Sequence, residues 1–247
     1  MNRGIQVSAA ALTPLSRAQE ILANNLANVS TTGFRQDRIG FERLLTEGAP
    51  NRAGQPASGS AAASAALATP SLGGQVSLEP GALDTTGGAL DLAIVGTGFF
   101  TVQTPEGLAY TRDGSLSLDP EGQLVHRSGN PIVGEGGPIQ LTPGARFEVA
   151  TDGTVSVDGE AQGRLQIVSF ADPSTLRHAG RGLLASDTPG EPLETARVAQ
   201  GSLEASNVDP IGTMVEMMTL LRSFEANHSA LMTQDQTLAQ LVRWASS

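Results

Sequence analysis

The chain has 247 residues, with 25 acidic against 15 basic side chains and a formal net charge of −10, so it lacks the basic footprint of a nucleic-acid-binding protein. All fifteen basic side chains are arginine, which excludes a P-loop lysine, Schiff-base chemistry and a lysine nucleophile. Cysteine is absent, which excludes disulfides, thiolate catalysis and cysteine-bound metal centres.

The start of the chain carries no apolar run as long as the roughly 7–15 residues of a secretory signal core. No stretch of the sequence reaches the about 18 consecutive apolar residues of a membrane span. We therefore expect neither a cleavable signal peptide nor insertion into a membrane.

The first thirty residues carry an apolar stripe at helical spacing, which predicts a helix. Pro14 lies inside the pattern and predicts a start, kink or break near Thr13. The polar run that ends at Gly33 favours a helix end, with Gly33 in the left-handed conformation. The stripe consists of Ile5, Leu12, Leu15, Leu22, Leu26 and Val29.

The middle of the chain has two different patterns. Residues 47–75 are mostly Ala, Ser, Gly and Pro, which cannot offset their ordering entropy by burial, so we predict a flexible linker or long loop over residues 47–89. Over residues 90–200, short apolar runs alternate with turn signals such as Asp113-Gly114 and Asp152-Gly153 about every ten residues. This pattern is typical of an all-β domain.

A second helix is predicted near the other end. Asp209 suits the N-cap position and Pro210 the first helical position. An apolar stripe follows, formed by Val215, Met218, Leu221, Phe224, Leu231, Leu238 and Leu241. A single helix cannot bury its own apolar stripe, so each terminal helix needs a partner. The simplest partner is the other terminal helix, from the same chain or from a neighbour.

These elements predict an α+β fold. The N-terminal helix and an extended segment occupy residues 1–46, and the C-terminal helix lies in residues 201–247. The two helices are expected to pair as a coiled coil, with the all-β domain of residues 90–200 between them in the sequence.

The sequence offers little chemistry. The histidines at 126, 178 and 228 are scattered and form no metal-binding motif. Gly96-Thr97-Gly98 lacks the third glycine of a dinucleotide loop, and a β pattern follows it where a helix would be needed. We therefore predict no catalytic residues, no metal site and no cofactor.

Three asparagines, Asn24, Asn25 and Asn28, lie near the end of the first predicted helix. Asparagine is unfavourable inside helices because its side chain competes for backbone hydrogen bonds. Two explanations remain open from composition alone. The helix end frays towards its cap, or polar side chains fix the register of a helix–helix contact.

Three motifs resemble those of the bacterial flagellar rod and hook proteins. The first is NNLANVSTTGFR at residues 24–35. The second is LDLAIVGTGFF at residues 90–100, followed by YTRDGSL at residues 110–116. The third is LEASNVDP at residues 203–210, followed by MVEMM at residues 214–218 and RSFEAN at residues 222–227. They occur in the family order and span nearly the whole chain.

The resemblance implies a structural protein without enzymatic activity, part of the flagellar basal body. Its terminal helices would form the inner part of a hollow, periplasm-spanning rod that transmits torque from motor to hook. Its partners would be other copies of itself, other rod proteins and the type III export apparatus, which passes such proteins without a cleaved signal. It implies no nucleic acid and no small-molecule substrate.

Size and the Asn-Val-Asp-Pro sequence before the last helix favour the proximal-rod member of the family, with the distal-rod or another hook or rod axial protein as the alternative. A secreted β-domain enzyme or carbohydrate-binding module is the remote alternative. The resemblance places an assembly interface on the terminal helices, at Leu15, Leu22, Asn24, Asn25, Leu26, Asn28, Val29, Met218, Leu221, Phe224, Asn227, Leu231 and Leu238.

Overall fold

A computed structural model of the chain describes residues 3–42, 71–141 and 146–245. Within them lie a helix near each end, α1 (Arg3–Ala27) and α2 (Pro210–Ala245), and nineteen strands. The strands are β1 (Asp37–Glu42), β2 (Ser71–Val76), β3 (Leu83–Thr85), β4 (Leu92–Val95), β5 (Phe99–Thr104), β6 (Gly107–Thr111), β7 (Leu116–Leu118), β8 (Leu124–His126), β9 (Val133–Gly134), β10 (Gly137–Pro138), β11 (Phe147–Val149), β12 (Thr154–Val157), β13 (Glu160–Arg164), β14 (Ile167–Ser169), β15 (Leu176–Gly180), β16 (Leu183–Ser186), β17 (Glu191–Pro192), β18 (Arg197–Gln200) and β19 (Ser202–Glu204).

The helix boundaries follow local sequence signals. α2 begins at Pro210, directly after Asp209, which confirms the predicted start. α1 runs through Pro14 without interruption and ends at Ala27, so the break predicted near Thr13 does not occur. Gly33 has a φ of +65°, the left-handed conformation that the sequence predicts, but it lies six residues after the end of α1 and does not cap that helix.

The largest sheet has six strands in the order β15-β16-β6-β5-β14-β17. Both faces of its central strand β5 are buried. Phe100 and Val102 point into the main core, whereas Phe99 joins a smaller cluster with Tyr110 and Leu184. Burial on both faces explains why the sequence around residues 99–102 is almost continuously apolar instead of alternating.

The other strands form a three-stranded sheet and five two-stranded pairs. The three-stranded sheet has the order β11-β12-β13, and the pairs are β1-β2, β9-β10, β4-β18, β3-β19 and β7-β8. The pairs β4-β18 and β3-β19 bring strands from the two ends of the β region side by side, since Leu92 lies opposite Gln200 and Leu83 opposite Glu204. The β region is therefore closed by contacts between its first and last strands.

The predicted α+β class with a coiled coil is wrong. The described residues form a mainly β protein with one helix at each end, and no coiled-coil pairing of the two helices is seen among them. The reason is that strands also form outside residues 90–200, in β1, β2, β3 and β19, so strands and not helices make up most of the elements of the described chain.

Two compact units divide the chain. The β unit comprises residues 25–38 and 75–210, and the helical unit comprises, among the described residues, 3–24, 39–42, 71–74 and 211–245. Of the linker predicted at residues 47–89, the part up to residue 70 lies outside the described residues. The remainder contains β2 and β3. The β unit thus includes a short N-terminal segment that is distant from it in sequence.

The backbone of the β unit comes very close to another strand at Gly114. A Cβ atom at this position would lie 1.7 Å from the carbonyl oxygen of Leu92, a backbone atom that cannot move aside alone. We expect Gly114→Ala to destabilise the protein by about 1–3 kcal/mol or more, because the extra carbon forces the backbone apart. Gly163→Ala, where an added Cβ meets nothing within 4 Å, is the matched control. Urea unfolding of both variants should show a lower midpoint only for Gly114→Ala.

Candidate functional site

Residues 31–38, here called the N-terminal strap, lie across the β unit and connect its first strands with its last residues. The backbone N–H of Gly33 donates to the carbonyl oxygen of Glu204 at 2.7 Å. The backbone N–H of Ser77 donates to the carbonyl oxygen of Gln36 at 2.8 Å. A Cβ atom on Gly33 would lie 2.2 Å from the backbone nitrogen of Asp113. The strap therefore needs glycine at this position to approach the loop after β6.

Two asparagine side chains hold the strap through its backbone. Asn25 Nδ2 donates to the carbonyl oxygen of Asp37 at 2.8 Å, and the N–H of Asp37 donates to Asn25 Oδ1 at 2.9 Å. Asn207 bridges the strap and the segment around Glu79. The N–H of Gln36 donates to Asn207 Oδ1 at 2.7 Å, and Asn207 Nδ2 donates to the carbonyl oxygen of Glu79 at 2.8 Å. Each amide thus takes the place of a backbone peptide group.

A charge triad of Arg35, Arg112 and Glu204 lies beneath the strap, and each of its side chains is 1% exposed. Arg35 Nη2 lies 2.7 Å from Glu204 Oε1, and Arg112 Nη1 lies 2.8 Å from Glu204 Oε2. The N–H of Gly81 also donates to Oε1 at 2.7 Å. One carboxylate therefore joins the strap, the loop after β6 and the turn before β3.

The triad buries one more positive than negative charge, and backbone oxygens compensate for the excess. Arg35 donates to the carbonyl oxygen of Glu79, and Arg112 donates to those of Ile94 and Gly96. Burial lowers the pKa of Arg112 to about 10, against the attraction of Glu204, and the neighbouring Arg35 adds to the lowering. Burial likewise lowers the pKa of Arg35. Arg112 stays protonated near neutral pH, as Arg35 does, since arginine is not deprotonated in proteins.

A second polar cluster ties the strap to the loop after β6. Burial tends to raise the pKa of the Asp113 carboxyl, but hydrogen bonds to His126, to the backbone N–H of Ser115 and to the hydroxyl of Thr32 outweigh it and hold the pKa below its ordinary value. Thr32 Oγ1 donates to Asp113 Oδ1 at 2.9 Å. The ionised carboxylate is therefore the form that holds the strap.

Asp113, His126 and Ser128 have the composition of a serine hydrolase triad, but their geometry is that of a turn. Ser128 Oγ lies 2.9 Å from His126 Nδ1, and the backbone N–H of Ser128 donates to the same nitrogen at 3.2 Å. Asn130 Nδ2 donates to the hydroxyl oxygen at 3.0 Å. The side chains of His126 and Asp113 are 0% exposed. These contacts fix the turn after β8.

The first turns of α2 present an apolar face to solvent. Exposure of its large apolar side chains ranges from 39% at Leu221 to 74% at Ile211. At about 100° per residue, these positions fall within one third of the helix circumference. The face consists of Ile211, Met214, Val215, Met218 and Leu221. We call it the α2 apolar face.

Several polar side chains of α2 bond within the helix. Their hydroxyl and amide groups donate to the carbonyl oxygen four residues earlier, at 2.8–3.0 Å. The hydroxyl donors therefore need no water when the helix is covered. The side chains are those of Thr219, Ser223, Asn227, Thr233 and Thr237.

The structure separates the residues predicted to form the assembly interface. Met218 and Leu221 are exposed, and Phe224 and Asn227 are half-buried. The side chains of Leu231 and Leu238 lie outside the described residues. In α1 and the turn after it, Leu22 and Asn25 are buried and Asn24 is exposed, whereas the others are half-buried, namely Leu15, Leu26, Asn28 and Val29. Asn28 Oδ1 accepts a hydrogen bond from the hydroxyl of Thr31 at 3.2 Å.

Sequence reasoning missed the three residues of the charge triad. All three stand inside quoted motifs, and Glu204 lies between Leu203 and Ala205. A charged residue between apolar neighbours is the signal that could have drawn attention to Glu204. Its contacts could not be found this way, because the one with Arg112 joins residues 92 positions apart in the chain.

Comparisons with known proteins cover the same three parts of the chain. A family model described as flagella basal body rod protein matches residues 5–35, one described as flagellar hook protein FlgE/F/G D1 domain matches residues 93–157, and one described as flagellar basal body rod FlgEFG protein C-terminal matches residues 199–243. Arg35, Arg112 and Glu204 each fall in a different one of these regions.

Relatives match nearly the whole chain. Flagellar basal-body rod protein FlgG of Buchnera aphidicola subsp. Acyrthosiphon pisum is 37% identical, over 90% of this chain and 91% of its own length. Flagellar basal-body rod protein FlgF of Caulobacter vibrioides is 34% identical, over 92% and 91%. The FlgF protein of Escherichia coli is 33% identical, over 95% of both chains.

The chain belongs to the flagellar basal-body rod protein family. It is a structural subunit of the bacterial flagellar rod, and it serves motility as a component of the flagellum. Relatives named FlgG and FlgF match at similar identity, so the preference for the proximal-rod member stays a prediction. No helix of the rod protein's described residues is both long and apolar enough to cross a membrane.

Asn25 offers a test of the strap in the rod protein. We expect Asn25→Ala to lower the free energy of unfolding by about 1–3 kcal/mol, because it leaves the N–H and carbonyl groups of Asp37 without their partner. Asn227→Ala is the matched control, since that amide bonds only within α2 and alanine has the higher helix propensity. Chemical denaturation of the monomer measures both. Equal stability of the two variants would show that the Asn25 amide does not hold the strap.

Asp113 makes stability depend on pH in the acid range. Because its pKa is lower in the folded protein, its contribution is complete above the ordinary carboxyl pKa of about 4 and is lost as the pH falls through the folded value. We expect Asp113→Asn to be less stable at pH 7 and to lose less further stability on acidification than the natural protein. Urea titrations between pH 7 and pH 3 test this. Asp152 and Asp172 also have lowered pKa values, but they are present in both proteins and cancel in the comparison.

Proposed function

We propose that this rod subunit assembles by packing the α2 apolar face against helices of neighbouring rod subunits. The observation that carries the proposal is the exposure of five large apolar side chains on one face of a single helix. Soluble monomers rarely expose contiguous apolar surface unless it meets a partner. The expected partners are other copies of this chain and other rod proteins.

The energetics favour association through this face. Covering a large apolar side chain contributes roughly 1.5–3 kcal/mol relative to leaving it exposed. The hydroxyl groups of Thr219 and Ser223 already donate within α2, so covering them breaks no donor hydrogen bond to water. The residues of α1 named in the sequence analysis remain proposed members of the same interface, except that Asn25 has its own role within the chain.

The wider role follows from the family. We propose a subunit of a hollow, periplasm-spanning rod that transmits torque from motor to hook, passes through the flagellar export apparatus without a cleaved signal and catalyses no reaction. The buried polar groups support the absence of catalysis, because the charge triad and Asp113 bind other parts of the same chain. Chain length and the Asn-Val-Asp-Pro sequence support the proximal rod as its position.

Met218 is the position at which to test the interface, because it lies near the centre of the α2 apolar face and is 59% exposed. We expect Met218→Glu to leave the folded monomer unchanged but to prevent rod completion, since a carboxylate would be buried without a partner in the assembled face. The measurement is motility and the composition of basal bodies isolated from a strain that lacks the natural protein.

Met218→Leu is the matched control, since it keeps an apolar side chain of similar size and should restore motility. Export of each variant is measured separately, so that a failure to leave the cell is not mistaken for a failure to assemble. Normal rods containing Met218→Glu would show that the α2 apolar face is not an assembly surface.

A further inference from the structure

The charge triad connects three parts of the chain that are far apart in the sequence. Arg35 lies in the N-terminal strap, eight residues after the last residue of α1, and Glu204 lies six residues before the first residue of α2. Arg112 lies in the loop between β6 and β7. One carboxylate, in the segment that precedes α2 in the sequence, therefore contacts both the strap and the loop between β6 and β7.

The two oxygens of the Glu204 carboxylate have different partners. Glu204 Oε2 faces Arg112, whose guanidinium also donates to the carbonyl oxygens of Ile94 and Gly96 and lies 5.4 Å from the ring centroid of Phe99. This half of the triad belongs to the β unit itself. Glu204 Oε1 faces Arg35 and accepts from Gly81, and Arg35 is the charged group that the strap contributes.

We infer that Glu204 is a positioning residue that couples the docking of the N-terminal strap to the docking of residues 203–208, the C-terminal segment, so that the two terminal attachments open and close together. Without Glu204, the two buried guanidinium groups repel each other and lack their shared counter-ion. Both attachments are then weakened. Without Arg35, Glu204 and Arg112 still form a neutral pair, so only the strap is released.

The direct backbone contacts support this coupling. The N–H of Gly33 donates to the carbonyl oxygen of Glu204, and the N–H of Asn207 donates to that of Phe34 at 3.3 Å. The strap and the C-terminal segment are thus hydrogen-bonded to each other as well as to the same charged group. The inference concerns the folded monomer and does not depend on the α2 apolar face.

Peptide-resolved amide hydrogen exchange of the full chain tests the inference. In Glu204→Gln we expect at least tenfold faster exchange at Gly33 and Gln36 in the strap and at Ala205 in the C-terminal segment, relative to the change at sheet positions such as Val102. In Arg35→Met we expect the acceleration in the strap alone. The double variant should exchange no faster in the strap than Glu204→Gln, because both changes break the same unit.

Two controls separate coupling from general destabilisation. Leu124→Ala removes a buried side chain of the main core and should accelerate exchange throughout the β unit. Glu148→Gln removes an exposed ion pair with Arg146 and should change nothing measurable. If Glu204→Gln accelerates the sheet as much as the strap, as Leu124→Ala does, the coupling role is wrong. If Glu204→Gln does not fold, Arg35→Met decides, because a strap as protected as in the natural protein overturns the inference.

Assembly provides a second readout. Arg35→Met subunits with an intact sheet and an open strap should be exported and fail to complete rods, as measured by complementation and basal-body composition. This failure differs from that of Met218→Glu, in which strap protection stays normal. Arg35→Met subunits that open the strap and still complete rods would show that the docked strap is not required in the assembled rod.

Discussion

The burial of two arginines around the single carboxylate of Glu204 is the constraint on which the architecture depends. Charged groups of this kind are stable away from water only when their hydrogen-bonding capacity is met and their positions are fixed. The chain pairs the charges by bringing Arg35, Arg112 and Glu204 together with backbone oxygens from Glu79 and from the end of β4, and the Nε atoms of both arginines make no hydrogen bond. Anything that misplaces one of these segments exposes the others to an uncompensated charge.

This constraint explains why the N-terminal strap belongs to the β unit although most of α1 does not. The strap has little apolar surface of its own, with Phe34 as its main buried apolar side chain, stacked on His178 at 5.0 Å between ring centroids. Its attachment therefore depends on polar contacts, which are directional. Asn207 and Asn25 add such contacts at Gln36 and Asp37, the two residues after Arg35, so the strap is held in one register.

Much of the fold could be predicted from local sequence, but the site could not. Asp209 and Pro210 mark the start of α2, and Gly33 adopts the predicted left-handed conformation, because these signals act over a few residues. The α+β class was wrong because strands also form outside residues 90–200, and the apolar stripes of the two helices do not by themselves show whether the helices pair. Asn25 was noticed, but its backbone partner at Asp37 is set by tertiary structure, as is the meeting of Arg35 with Glu204, so spacing alone cannot show either.

The β unit buries charged side chains, whereas α2 exposes apolar ones to water. This difference suits a subunit that must fold before it assembles. The β unit pairs the buried charges of Arg35, Arg112 and Glu204 within one chain, so its fold does not wait for a neighbour to supply a counter-ion. Between Ile211 and Leu221, α2 does the reverse and leaves apolar side chains in contact with water. Because apolar contact is non-directional, it tolerates small differences between neighbours.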